Sequence, residues 1–305
     1  MGLPPGLTEN VPDVEGVRHR WIPVGPLDVH VAYAGPRNDG ATKQVPVVLV
    51  HGWPQHWWCW RYVIGPLSSD RPVFAVDLRG QGWTTATAAG YDKFNLADDL
   101  VATIEALGLG QVDLVGHDWG GWISLLVAQK HPELVRRVVA VAIPAPWGRV
   151  PKVWARIPAF MYMPVAGGPA GPFLHRGLGQ VFVRTSLRLS RADRLHRRPK
   201  AEVEPYLERF RLLDRARAGA LFYRTFLGRE LLPYLRGRYS PNPPEHPVLF
   251  LSGQHDPVIT PALVATALTS NASVQCEVVA DSGHLIPEEQ PEELIRRLRR
   301  FLDRP

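Results

Sequence analysis

The chemically most suggestive feature of the sequence is a carboxylate in a tight turn. The short apolar run Val112-Asp113-Leu114-Val115 leads into Gly116-His117-Asp118-Trp119-Gly120-Gly121 and then into a stretch with helical spacing. A Gly-x-Asp-x-Gly turn between a buried strand and a helix has the pattern of a nucleophile elbow, with Asp118 where a serine is usual. Side chains at 116 and 120 would crowd such a turn, and the helix start beside residue 118 favours an anion. A plain helix cap would also place an Asp here, so the reading depends on its companions. Ser282-Gly283-His284 offers an imidazole as base, and Gly253-Gln254-His255-Asp256-Pro257 a second carboxylate able to orient that imidazole through its other nitrogen. A turn-forming Asp before Pro is the plainer role for Asp256. The stretch Ala142-Ile143-Pro144-Ala145-Pro146, another place for the acid, holds no carboxylate, which favours Asp256. In His51-Gly52-Trp53-Pro54 a glycine turn can aim the Trp53 N–H at the site, and with the Trp119 N–H it would form an oxyanion hole. His51 itself reads as a loop-shaping residue, as does the turn Asp77-Leu78-Arg79-Gly80-Gln81-Gly82. An ionised carboxylate needs no base to become a nucleophile, so the chemistry implied is attack by Asp118 and hydrolysis of the resulting ester.

Elements able to position these groups are visible as short apolar runs at Val45 to Val50, Val73 to Val76, Val112 to Val115, Val138 to Ile143, Val248 to Leu251 and Val274 to Val279. Their length and β-branched content suit strands buried on both faces. Pro46 cannot donate to a ladder and marks a strand start. Two extended pieces precede them, around Arg20 to Val24 and Leu27 to Tyr33. Helical spacing intervenes from an Asn95 cap through Leu107 to a stop at Gly108, from Trp119 to Lys130, and from Pro291 to Phe301. Strands alternating with helices predict an α/β fold, a mostly parallel sheet flanked by helices. The alternation breaks between Pro144 and Pro247, which predicts a mainly helical lid inserted after the sixth strand. The expected division is a core of residues 1–143 and 247–305 and a helical cap of 144–246.

The composition is that of an ordinary globular chain, 45% hydrophobic and 21% charged over 305 residues. A net charge of +6 is spread along the chain, so neither nucleic acid nor a membrane is an expected partner. The densest basic stretch, Arg184, Arg188, Arg191, Arg194, Arg197 and Arg198, reads as a solvated helical face. Two cysteines, Cys59 and Cys276, lack metal-ligand spacing and suit a reducing cytoplasm. Met1-Gly2-Leu3-Pro4-Pro5-Gly6 has no signal-peptide pattern, and no apolar run is long enough to span a bilayer. Trp53, Trp57, Trp58, Trp119 and Trp122 near the motifs suggest an apolar pocket.

Together these motifs resemble the α/β-hydrolase superfamily and, within it, the epoxide hydrolases. The resemblance covers nearly the whole chain beyond the first twenty residues and is weakest in the insertion. Haloalkane dehalogenases share the Asp nucleophile and following Trp, but generally carry Asn or Glu where Trp53 stands. Haloacetate dehalogenases carry arginines just after the nucleophile, where this chain has Trp119, Gly120, Gly121 and Trp122. The resemblance implies lid tyrosines that protonate an epoxide oxygen. Tyr223, in Leu221-Phe222-Tyr223-Arg224, matches a family segment, whereas Tyr162 lies in the corresponding part of the lid at a departing spacing. It further implies a small apolar epoxide and water as partners, and no metal or organic cofactor. A dehalogenase of the same fold and a non-catalytic binder on its scaffold are the alternatives, and the oligomeric state, homodimer included, stays open.

Overall fold

The computed structural model describes residues 8–36, 44–148, 157–177, 180–193, 198–240, 242–268 and 273–304. Met1 to Gly6, Arg194 and Arg197 lie outside the described residues. Eight strands form one sheet: β1 (Arg18–Val24), β2 (Leu27–Ala34), β3 (Val47–Val50), β4 (Val73–Val76), β5 (Val112–His117), β6 (Val135–Val141), β7 (Val248–Gly253) and β8 (Val274–Val279). Their order is β1-β2-β4-β3-β5-β6-β7-β8. The β1–β2 and β2–β4 pairs are antiparallel, and the rest are parallel. Every residue of β3, β4, β5 and β7 is buried, as continuous apolar strands covered on both faces must be. Because β3, β5, β7 and β8 run parallel, the loops that follow them emerge at one edge of the sheet, where open α/β sheets put their sites.

Helices α1 (Ile64–Leu67), α2 (Lys93–Ala106), α3 (Trp119–Lys130), α11 (Pro261–Val264), α12 (Ile286–Glu289) and α13 (Pro291–Leu302) accompany the sheet. Between β6 and β7 come α4 (Ile157–Phe160), α5 (Tyr162–Gly167), α6 (Gly171–Arg176), α7 (Val181–Leu189), α8 (Lys200–Arg211), α9 (Leu213–Thr225) and α10 (Leu231–Leu235). A π turn at Phe226–Glu230 joins α9 to α10. The helical insertion after the sixth strand is therefore present. No helix among the described residues is long and apolar enough to cross a membrane.

Three expectations need correction. The cap of α2 is Asp92, which accepts the Asn95 N–H, and the helix begins at Lys93. The strand expected over Val138 to Ile143 runs from Val135 to Val141, because Ala142 turns away with φ 53°. Arg198 is not on a solvated face. Together with Arg61 it holds the buried Glu288, at 2.9 Å from Arg198 and 2.5 Å from Arg61. Tyr206 donates to the same carboxylate at 3.0 Å and Gln55 at 2.8 Å. This cluster joins the insertion (Arg198, Tyr206) to the sheet domain (Gln55, Arg61, Glu288). Arg184 and Arg188 are exposed, as expected of a solvated face.

Candidate active site

Asp118 stands between β5 and α3 with φ 50° and ψ −129°, a region that residues with side chains rarely adopt. Strain of about 1–3 kcal/mol persists only where the surroundings over-determine it. Here the Asp118 N–H donates to the Val141 carbonyl at 2.8 Å, and its own carbonyl accepts the Gly121 N–H at 2.8 Å. A Cβ on Gly116 would collide with the Gly120–Gly121 backbone, and one on Gly120 with the Val50 and His51 carbonyls. The side chain of Asp118 makes no helix-capping bond. Instead Oδ2 accepts the Trp53 N–H at 3.0 Å, and the Trp119 backbone N–H also bonds the carboxylate. His51 braces the Trp53 loop by donating to the Gly52 carbonyl at 2.9 Å and accepting the Leu78 N–H at 3.0 Å. Asp77 braces the next loop by accepting the N–H groups of Trp57 at 2.7 Å and Trp83 at 3.0 Å.

Asp256 and His284 arrive from the ends of β7 and β8. The His284 Nδ1–H donates to Asp256 Oδ2 at 2.7 Å, which turns Nε2 toward Asp118 Oδ1, 3.8 Å away. The other Asp256 oxygen accepts the N–H groups of Val258 and Ile259, both at 2.8 Å. The imidazole's backbone is held as well, since its N–H donates to the Ser190 carbonyl at 2.7 Å and its carbonyl accepts from His117 Nε2 at 2.8 Å. Gly283 lets the insertion come this close, for a Cβ there would strike the backbone of Ser190 to Ala192.

Burial pushes the Asp118 carboxyl up to about 6, against the pull of His284 and the two N–H donors. Burial works against a charged His284, but the charge and hydrogen bond of Asp256, with Asp118 behind them, raise it to about 9. Burial also opposes ionisation of Asp256, yet His284 and the two backbone donors keep its carboxyl below the usual range. Burial, then the charge of Asp118, raises the Tyr162 phenol; burial, then Tyr162 and Asp118, raises that of Tyr223 as well. Both phenols therefore stay protonated and available as donors. Their rings meet edge to face at 5.6 Å, and the Trp53 indole lies 5.0 Å from Tyr223.

These groups line a cavity of about 670 Å³ between sheet and insertion. Among the described residues of its wall, Asp118 and His284 are the only ones whose side chains carry charge near neutral pH. Of the tryptophans expected around it, Trp53, Trp119 and Trp122 line it. Trp57 and Trp58 do not: Trp57 packs on His19 and His30, and Trp58 donates to the Glu202 carbonyl at 3.1 Å. Sequence reasoning missed the support given by Ser190, which acts through a carbonyl and leaves no residue-type signal. It also missed Lys93, which lies ahead of the Asn95 cap where the helix was expected to start.

The family model described as alpha/beta hydrolase fold matches residues 45–291. A soluble epoxide hydrolase of Corynebacterium is 42% identical over 93 residues, 30% of this chain and 32% of that protein, so the match spans about a third of the relative's length. Epoxide hydrolase 3 of Xenopus tropicalis is 26% identical over 279 residues, 87% of this chain and 73% of the relative. The solved structure of Cfl2 from Burkholderia cenocepacia superposes with a TM-score of 0.76 at 28% identity, covering 98% of both chains.

Proposed function

The chain belongs to the alpha/beta hydrolase fold family and is related to epoxide hydrolases, and from that premise we propose that it opens epoxides to vicinal diols through an ester on Asp118. One observation carries the reading. Asp118 Oδ2 is tied to the Trp53 N–H, while Oδ1 is left facing the His284–Asp256 pair. Oδ1 attacks an epoxide carbon and the carbon–oxygen bond of the ring breaks. Tyr223, with Tyr162 beside it, gives its proton to the departing oxygen. In the ester that results, Oδ2 is the carbonyl oxygen, already seated against the Trp53 N–H, with the Trp119 N–H also at the carboxyl.

Esterification also prepares the second step. The negative charge of Asp118 helps to hold the proton on His284. Once that charge is gone, His284 gives up its proton more readily; the proton restores the phenol through solvent, and the imidazole becomes a base for water. Water attacks Cγ of Asp118, and the oxyanion on Oδ2 is stabilised by the two N–H donors. The intermediate collapses with loss of Oδ1, which leaves in the diol and takes the proton from His284. The water oxygen stays in the carboxyl of Asp118, whose proton passes to His284 and restores the starting pair. Asp256 keeps the imidazole oriented and balances its charge. The insertion, residues 144–246, serves as the lid that carries the two phenols, and a wall whose described residues add no further charge suits an uncharged, apolar epoxide.

A single turnover in ¹⁸O-labelled water, with enzyme in excess over an apolar epoxide, tests this order of events. The label should appear in the peptide containing Asp118 and not in the diol. Label in the diol would mean direct attack by water and would overturn the reading. Halide release from haloalkanes with no turnover of any epoxide would assign the same nucleophile to a different bond.

A further inference from the structure

Lys93, the first residue of α2, is fully buried (0% exposed), which is rare for a lysine. Its Nζ donates to the Phe222 carbonyl at 3.0 Å and to the Tyr91 carbonyl at 3.3 Å. It lies over the rings of Phe222, Trp119 and Phe226, at 3.9, 4.7 and 5.6 Å from their centroids. Glu230, at the end of the π turn, is 3.8 Å from Nζ and also accepts the Lys93 backbone N–H at 2.9 Å. Tyr239 donates to that same Glu230 oxygen at 2.5 Å.

The two ends of this arrangement touch the two halves of the site. Phe222 precedes Tyr223 in α9, and the Phe226 N–H that closes this helix bonds to the Tyr223 carbonyl. Lys93 thus grips, from the sheet side, the backbone that presents the acid phenol. Its other ring contact, Trp119, follows the nucleophile. Desolvating an ammonium is unfavourable, and burial pushes Lys93 down to about 8 even with Glu230, Asp92 and Asp118 holding it up. A leucine or methionine would fill the same space without that penalty, so packing alone does not account for the charge.

We infer that Lys93 is a positioning residue for ring opening, tying the start of α2 to the Phe222 backbone and the Trp119 ring so that Tyr223 and Asp118 are held in one geometry. The step affected rests on the epoxide reading above. His284 is held by Asp256, Ser190 and His117, a set distinct from the Phe222, Tyr91, Trp119, Phe226 and Glu230 groups around Lys93. Tyr223 acts in ring opening alone, so loss of Lys93 slows formation of the ester more than its hydrolysis, which still draws on the Trp119 N–H.

The test uses Lys93→Met, and Lys93→Met with Glu230→Gln so that no lone carboxylate is left buried. Rapid-quench mass spectrometry at about pH 7.5 follows the ester on Asp118. Ring opening should slow by roughly 10- to 100-fold, the range expected for a misplaced catalytic group. Ester hydrolysis should slow several-fold less than ring opening does, and far less than the loss of a general base would produce. Equal slowing of both steps would reduce Lys93 to a structural role, and an unchanged ring-opening rate in the folded variants would overturn the inference. Amide exchange needs no substrate and should rise across Phe222 to Glu230 while Tyr162 to Gly167 stays unchanged. Unchanged exchange across Phe222 to Glu230 refutes the role of Lys93 on its own, whereas failure of the wild type to form an ester refutes the epoxide reading.

Discussion

Replacing Asp118 by Asn should abolish turnover and make the protein more stable. In the folded state burial raises the carboxyl of Asp118 from 3.8 to about 6, so the native protein binds this proton more tightly than the unfolded chain does. Ionising it therefore weakens the fold, beginning as the pH rises past about 4 and reaching its full extent above about 6. At about 1.4 kcal/mol for each pH unit, the rise from 3.8 to about 6 corresponds to about 3 kcal/mol of stability forgone at pH 8. The substitution would leave the backbone at φ 50° no worse off, since asparagine tolerates this region as well as aspartate does. His284 loses one anion but keeps Asp256 at 2.7 Å. Urea unfolding of both proteins at a series of pH values is the assay. The variant should be more stable by about 3 kcal/mol near pH 8 and by little near pH 4. A variant that is less stable at pH 8, or a difference that does not change with pH, would refute the argument that burial of this charge is what raises its pKa.

The same shift predicts that the rate of ring opening climbs with pH through about 6, as Asp118 loses its proton, which stopped-flow tryptophan fluorescence can follow. His284→Gln should accumulate the Asp118 ester, visible as an added substrate mass, with hydrolysis slowed by about 100- to 10,000-fold. Tyr223→Phe and Tyr162→Phe should each slow ring opening while leaving ester hydrolysis near normal in rapid-quench measurements, and the double variant should be slower than either. Glu288→Ala would leave Arg61 and Arg198 with the half-buried Glu202 as their remaining shared partner and should lower stability in denaturant unfolding, by less than the ~3–5 kcal/mol of a wholly unpaired buried charge.

The grouping of Asp118, Asp256 and His284 was legible because each follows an apolar strand and sits in a turn marked by glycine or proline. Parallel strands then bring distant turns to one edge, which the alternation of strand and helix already announces. Trp53 was legible for the same reason, as part of a glycine turn after β3. The start of α2 was not, because Lys93 carries the charge of a loop residue and is buried only by contacts from α9 and the π turn. Arg198 looked like a surface residue for a similar reason, since its partner Glu288 is ninety residues away in sequence. Trp57 and Trp58 lie next to motif residues in the chain, yet their rings turn toward β1, β2 and α8. Periodicity reports which face of an element is apolar, and it is silent about which element will cover that face. The insertion joins the rest of the chain mainly through such side-chain meetings, so its placement was the least readable part of the fold.

The bond from the His284 N–H to the Ser190 carbonyl makes the base and the insertion mechanically continuous. Glu289 adds two more stitches at the same seam, accepting the N–H groups of Ala192 at 2.9 Å and Gly283 at 3.1 Å. Lifting the segment after α7 would pull on the very strand of backbone that aims the imidazole. An imidazole anchored in this way keeps its aim only while the insertion stays seated at that seam. Any movement of the insertion that admits substrate or releases product must therefore leave this seam closed for the base to keep its orientation.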